Sequence, residues 1–297
     1  MKIIISNDDS IHSQGIKSIQ NVLQKDLITD IITKFDISKA IREKSLEYTC
    51  DVWLVAPEEE QSAKSHSFTM RHPLFIKKYT DREITLRGTP ADCVYFALTH
   101  FITTLGDGFN LDWVVSGINH GSNLGTDIYY SGTVGAAREG CLRGYPAIAV
   151  SLHKNTQRAF DKEDFYLAAL VLKILLYYLP KPPSGIFFNL NVPQDIAQPL
   201  SIQVAPVGVR LYESTVQIQK SPTGQEFCWL GGPAIGYDGG IHGDNCDIAI
   251  CEQGHITLSI LNLFGKEVKE ELHLKVQEAC QKAQSILSTY IASSTRE

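Results

Sequence analysis

Short apolar runs that do not alternate in polarity, each stopped by a polar or turn-forming cluster, set the terms on which this chain can fold. Lys2–Ile5 runs into Ser6-Asn7-Asp8-Asp9-Ser10, Val52–Ala56 stops at Pro57, and Trp113–Ser116 stops at Gly117. Ala147–Ser151 and Ile186–Leu190 repeat the pattern. A strand with one face in water alternates, so continuous runs predict strands covered on both faces. Ile16, Ile19, Val22 and Leu23 recur at helical spacing between the first two runs, which makes the opening a strand, a loop and a helix. The most apolar stretch, Phe165–Leu179, contains Lys173 and is shorter than the roughly 20 residues of a bilayer crossing, so it reads as a buried helix. Together these segments predict an α/β chain with a mostly parallel, doubly wound sheet. At 297 residues one large domain or two small ones would fit, and no linker-like composition divides the chain, so 1–297 reads as a single domain.

Composition excludes several partners. A net charge of −6 argues against the broad basic face that polymeric nucleic acid requires. The first residues are too briefly apolar and too soon acidic for a signal peptide, and no segment reads as a membrane span. Seven scattered cysteines, odd in number and without a C-x-x-C pair, argue against a disulfide framework and for the reducing cytoplasm. His242, Asp244, Cys246 and Cys251 are residue types that bind zinc, yet their spacing fits no common structural site, and buried or incidental thiols are the preferred reading.

The second half changes character after Pro193. Strand-like segments near Ile202–Val207 and Ile256–Leu261 precede an amphipathic stretch, Val268–Ile291. Leu211–Leu230 alternates around Ser221-Pro222-Thr223-Gly224 and predicts a long β-hairpin, either an edge hairpin of a monomer or a projecting arm suited to subunit exchange. Asp26–Asp51 is a mixed-charge stretch without evident chemistry, within which Asp36–Tyr48 could form an extra surface helix.

In open α/β sheets the ligand lies beyond the carboxyl ends of the strands, which directs attention to Asn7-Asp8-Asp9, Glu58–Ser67, Gly117–Gly121 and the Ser131-Gly132-Thr133 helix start. Two adjacent carboxylates at a strand end repel one another unless a cation or proton intervenes. Oxygen donors select Mg²⁺ or Mn²⁺ over Zn²⁺, and two carboxylates neutralise such an ion. A third would repel a dianionic phosphate, so neutral donors are expected beside them, and Ser62 and Asn119 meet that need. A turn or capping role for Asp8-Asp9 is the alternative. Tyr130–Ala137 offers a helix N-terminus with small residues, where Ser131 can cap, Gly132 allows close approach and Thr133 adds a hydroxyl; a plain N-cap is the alternative. His12, His66 and His120 lie near these motifs and read as surface residues rather than proton carriers. Gly231-Gly232-Pro233 and Gly239-Gly240 lack the lysine of a phosphate loop and read as turns.

Taken in order, Asn7-Asp8-Asp9, the Ala56–Ser62 loop with Ser65 and Ser67, Gly88-Thr89-Pro90-Ala91-Asp92-Cys93-Val94, Ser116–Gly125 and Tyr130-Ser131-Gly132-Thr133 resemble the survival protein SurE family. A looser match runs through Ala147–Ser151, Phe188–Pro193 and Trp229–Gly254, covering nearly the whole chain. The resemblance implies a Rossmann-like core and a metal-dependent enzyme that hydrolyses nucleoside 5′- and 3′-monophosphates to nucleoside and phosphate. It implies one divalent ion per subunit, Mg²⁺ or Mn²⁺, held by Asp8, Asp9, Ser62 and Asn119. Asp8 and Asp9 would be the catalytic residues, with Asp8 also orienting or deprotonating the water, and Asn123, Ser131, Gly132 and Thr133 would lie near the phosphate. It further implies a homodimer or homotetramer assembled through a hairpin arm near 207–231 and a C-terminal helix near 266–291. Three departures stand out: Ser10 replaces the usual glycine, where a positive φ would strain the metal loop; the 26–51 stretch is long; and Ser259-Ile260-Leu261-Asn262 replaces a Thr-Pro-Leu pattern. Two other functions remain in view. A different nucleotide-binding enzyme should carry G-x-G-x-x-G after the first strand, where Asn-Asp-Asp-Ser stands instead, and a non-catalytic metal-binding assembly or regulatory protein gains weight from Ser10.

Overall fold

Each of the apolar runs becomes a strand of one sheet. The computed structural model describes residues 1–25, 50–106, 108–265 and 267–294, so the expected helix at Asp36–Tyr48 lies outside the described residues. The strands are β1 (Lys2–Ser6), β2 (Asp51–Pro57), β3 (Ile76–Thr80), β4 (Glu83–Leu86), β5 (Trp113–Asn119), β6 (Ala147–His153), β7 (Ile186–Pro193), β8 (Ile202–Val204) and, later in the chain, β13 (Ile256–Asn262). Their order across the sheet is β3-β4-β2-β1-β5-β6-β7-β13-β8. The pairs from β4 to β7 are parallel, while β3 runs antiparallel to β4 and β13 antiparallel to β7. The sheet is therefore mostly parallel, as the unalternating runs require.

Helices cover both faces. On one side α1 (Gln14–Gln24), α4 (Lys162–Tyr178) and α6 (Glu270–Ser294) bury Ile16, Ile19, Leu170, Leu175, Val276 and Leu287 against the sheet. On the other, α2 (Pro90–Thr99) and α3 (Gly132–Leu142) bury Cys93, Val94, Ala136 and Ala137. A short helix α5 (Asp247–Glu252) precedes β13. The α6 stripe of Leu272, Val276, Ala279, Cys280, Ala283 and Leu287 packs on the chain's own core. Only its other face is left for any partner.

The expected hairpin is present as β10 (Val216–Lys220) and β11 (Glu226–Leu230), in register Val216 to Leu230 and Lys220 to Glu226. A second ribbon at its root, β9 (Val209–Tyr212) with β12 (Ala234–Asp238), carries the arm beyond residue 231 to Asp238. All seven cysteines are free, and Cys228 alone is exposed. Cys246 and Cys251 are buried, Asp244 accepts from the Tyr237 hydroxyl at 2.9 Å, and no metal-holding group of His, Cys, Asp and Glu occurs among the described residues. No helix of the described residues is long and apolar enough to cross a membrane.

Candidate active site

The site begins where β1 ends. Asp8 is buried and Asp9 half-buried, side by side at the carboxyl edge of the sheet. The turn beyond them is shaped by Asn7, whose amide donates to Ser10 O at 2.7 Å and Ser13 Oγ at 2.8 Å. Ser10 adopts φ 77, a left-handed conformation that costs a non-glycine residue on the order of 1–2 kcal/mol. The strain expected of a serine at this position is thus present in the backbone.

Three elements converge on the two aspartates. The first is the N-terminus of α3. Ser131 caps it by accepting from Val134 N at 3.0 Å, and the Thr133 hydroxyl donates to Asp8 Oδ1. A Cβ added to Gly132 would lie 2.9 Å from both Cβ and Oδ2 of Asp8, so only glycine lets helix and carboxylate approach this closely. The second is the 58–69 loop after β2, whose Gln61 N donates to Asp8 O at 2.7 Å. Ser62 follows directly, with its hydroxyl donating to Glu60 Oε1 at 2.7 Å. The third is the end of β5, where His120 N donates to Asp9 Oδ2 at 3.2 Å. Asn119 precedes it, its Nδ2 donating to Gly121 O at 2.7 Å and leaving Oδ1 as its acceptor.

The electrostatics are those of an uncompensated acidic pair. Burial, reinforced by Asp9 and opposed by the Thr133 hydrogen bond, pushes the Asp8 carboxyl up to about 6. Burial with the nearby Glu60 does the same to Asp9, also to about 6, against the bond from His120. Among the described residues no lysine or arginine figures in either balance. Two desolvated carboxylates suit a hard divalent cation, and Ser62 and Asn119 are the chain neighbours of Gln61 and His120, whose N–H groups donate to Asp8 O and Asp9 Oδ2.

Asn123 bonds to residues of β6 and β7. It is buried, with N donating to Asn191 Oδ1 at 2.9 Å, Nδ2 to Ser151 Oγ at 2.7 Å, and its carbonyl accepting from Asn189 and Asn191 at 2.8 and 3.1 Å. It ties the loop after β5 to the ends of β6 and β7. Three histidines are likewise engaged: His12 Nε2 meets Tyr79 Oη at 3.2 Å, His66 Nε2 meets buried Glu139 at 2.8 Å, and the His120 ring lies tilted against Phe165 with centroids 4.7 Å apart.

Two carboxylates outside the expected set organise the surroundings. Asp92 closes a capping box with Thr89 on α2 and receives Thr69 N at 3.0 Å and Thr69 Oγ1 at 2.6 Å, fastening the 58–69 loop. The Thr89-Pro90-Ala91-Asp92 spacing carries that signal in the sequence. Asp247 accepts from Gly125 N at 2.9 Å, Gly208 N at 2.8 Å and Ile248 N at 2.9 Å, joining the lead-in to α3 with the root of the arm. Its partners lie 122 and 39 residues away, so no local pattern reveals it.

The family model described as survival protein SurE matches residues 3–214. The 5′-nucleotidase SurE of Anaeromyxobacter sp. (strain Fw109-5) is 33% identical over 263 residues, covering 89% of this chain and 90% of that protein. The 5′-nucleotidase SurE of Legionella pneumophila (strain Paris) is 33% identical over 283 residues, covering 94% of this chain and 99% of its own. The crystal structure of the SurE protein from Aquifex aeolicus superposes with a TM-score of 0.65 at 27% identity, covering 94% of this chain and 100% of that one. Matched by that family model over residues 3–214 and by relatives 33% identical along most of their length, the chain belongs to the survival protein SurE family.

Proposed function

We propose that the protein is a metal-dependent phosphomonoesterase that hydrolyses nucleoside 5′- and 3′-monophosphates to nucleoside and inorganic phosphate. The observation that carries this reading is the adjacent Asp8-Asp9 pair, with buried Asp8 pressed against the α3 N-terminus. The names of the relatives support the nucleotide as substrate.

Asp8, Asp9, Ser62 Oγ and Asn119 Oδ1 would hold one Mg²⁺ or Mn²⁺. Bound there, the ion supplies Lewis-acid charge to the phosphoryl group and lowers the pKa of the attacking water. The protein supplies the rest. Ser131, Gly132 and Thr133 offer small side chains and a helix N-terminus to the non-bridging oxygens, where negative charge is favoured. The Thr133 hydroxyl fixes the rotamer of Asp8, which orients the water and accepts its proton. Asn123 supports this frame by holding the 119–125 loop at the sheet edge. Seven free cysteines support a reducing, cytoplasmic setting. The exposed apolar residues of the arm support a homodimer or homotetramer.

Release of inorganic phosphate from AMP and GMP tests the reading. The chelator-stripped protein should be inert and should gain turnover on addition of Mn²⁺ or Mg²⁺. Equal activity in excess chelator, or none with either ion, would refute it.

A further inference from the structure

Beside the acidic pair lies a cleft of about 590 Å³ between the 58–69 loop and the turn from β4 into α2, lined by Gln61, Lys64, Phe68, Arg87, Gly88 and Thr89 among others. Its volume is that of a small-molecule site. It shares a wall with the proposed catalytic centre. Gln61 reaches both, since its N–H donates to Asp8 O at 2.7 Å. On the other side Pro90, the neighbour of Thr89, has its Cγ 3.2 Å from where a Cβ on Gly132 would sit, and Asp8 Oδ2 is 2.9 Å from that same point. In the sheet, β4 is two positions from β1, a lateral offset of roughly 10 Å. That offset suits the ribose that separates a phosphate from its base.

The walls are built before any ligand arrives. Asp92 and Thr89 fasten the loop through Thr69 N, Thr69 Oγ1 and Ser67 O at 3.0, 2.6 and 2.6 Å. The Phe68 and Tyr95 rings meet in a T at 5.4 Å between centroids, and Arg87 is held by Glu58 through Nε at 2.6 Å. The charges of Lys64 and Arg87 are offset by Glu58 and Glu59 in the same lining, so the cleft is not an anion site. An aromatic side chain among hydrogen-bonding side chains and main chain, without net charge, suits a flat, neutral heterocycle with polar edges.

We propose that this cleft seats the nucleobase of the substrate, stacked on Phe68, and that Phe68 sets the preference for a nucleotide over a bare sugar phosphate. The proposal rests on the phosphomonoesterase reading above. It is tested by the ratio of kcat/KM for AMP to kcat/KM for ribose 5-phosphate, measured with Mn²⁺. The wild-type ratio should be well above one. In Phe68→Ala it should fall on the order of tenfold, as expected for loss of one base–aromatic stack. Phe68→Leu keeps apolar bulk without the π face and should lower the ratio likewise, giving a reading if the alanine variant melts early. Phe68→Tyr should restore it. Adenosine should inhibit the wild type competitively and Phe68→Leu far more weakly. Hydrolysis of both substrates with a ratio unmoved by Phe68→Ala and Phe68→Leu would overturn the base site and leave the phosphomonoesterase reading intact. Release of phosphate from neither substrate would overturn both.

Discussion

Thr133 and Gly132 press on Asp8 from one side while Asp9 repels it from the other, so the charge suited to a cation weakens the metal-free fold. The sign follows from the raised carboxyl, about 6 folded against 3.8 ordinarily. Between those values the folded chain keeps a proton that the unfolded chain has lost, so this group's contribution to stability falls as pH rises through the window. Above pH 6 the full penalty is present, about 1–3 kcal/mol for a shift of this size. Asp8→Asn keeps the shape and an acceptor for Thr133 but removes the charge. In chelator at pH 7 the variant should melt above the wild type, with the difference shrinking as pH falls toward 4. Manganese should raise the melting temperature of the wild type far more than that of the variant, and AMP turnover should fall by orders of magnitude. A variant less stable than wild type in chelator at pH 7 would show that Asp8 is a structural cap and not a strained ligand.

At the scale of elements, a buried lysine of α4 reaches the end of α1. Lys173 is 1% exposed, and its ammonium donates to Val22 O in the last turn of α1 at 3.0 Å and to Lys25 O at its C-cap. A cation at a helix C-terminus meets both the unpaired carbonyls and the negative end of the dipole. Lys173→Met keeps the apolar stem and strands those acceptors, so urea denaturation should report a loss of about 1–3 kcal/mol; an unchanged midpoint would mean that water takes over the role. The apolar stretch around Lys173 read as a buried helix from composition alone, but its partner carbonyls are 151 and 148 residues away and left no trace in pattern. The same division runs through the site. Asp8-Asp9, Asn119 and Ser131–Thr133 were legible because each directly follows an apolar run or opens a helix, and sheet topology gathers such ends on one edge. Asp247 and Asn191 were not, since what they do is set by residues distant in the chain. Strand β3 escaped because every residue of Ile76–Thr80 is exposed, so no apolar period marks it.

Across the whole molecule the sharpest imbalance is the arm. Ile218, Trp229 and Leu230 are 71%, 65% and 78% exposed on a two-stranded ribbon that pairs with no other strand among the described residues. An isolated hairpin is marginal in water, and a cluster of exposed large apolar side chains marks an association surface. The root of the arm is anchored where function would feel its movement. Tyr212 Oη donates to Asp127 Oδ1 at 2.7 Å, Arg210 N donates to Thr126 Oγ1 at 3.2 Å, and Asp247 grips Gly125 and Gly208 together. Residues 125–129 lead directly into Ser131 and α3, so an arm ordered by a second subunit would also steady the helix N-terminus that faces Asp8. Charging the tip separates assembly from folding, because Ile218 and Trp229 take no part in the buried clusters. Ile218→Glu with Trp229→Glu should convert a dimeric or tetrameric wild type to single subunits by light scattering while leaving the main thermal transition in place. Turnover of AMP should fall severalfold through this loss of order at α3, with the affinity for Mn²⁺ little changed because β1 and β5 are untouched. A wild type that scatters as one subunit at micromolar concentration would remove the assembly role of the arm, and full activity in the monomerised variant would cut its link to the site.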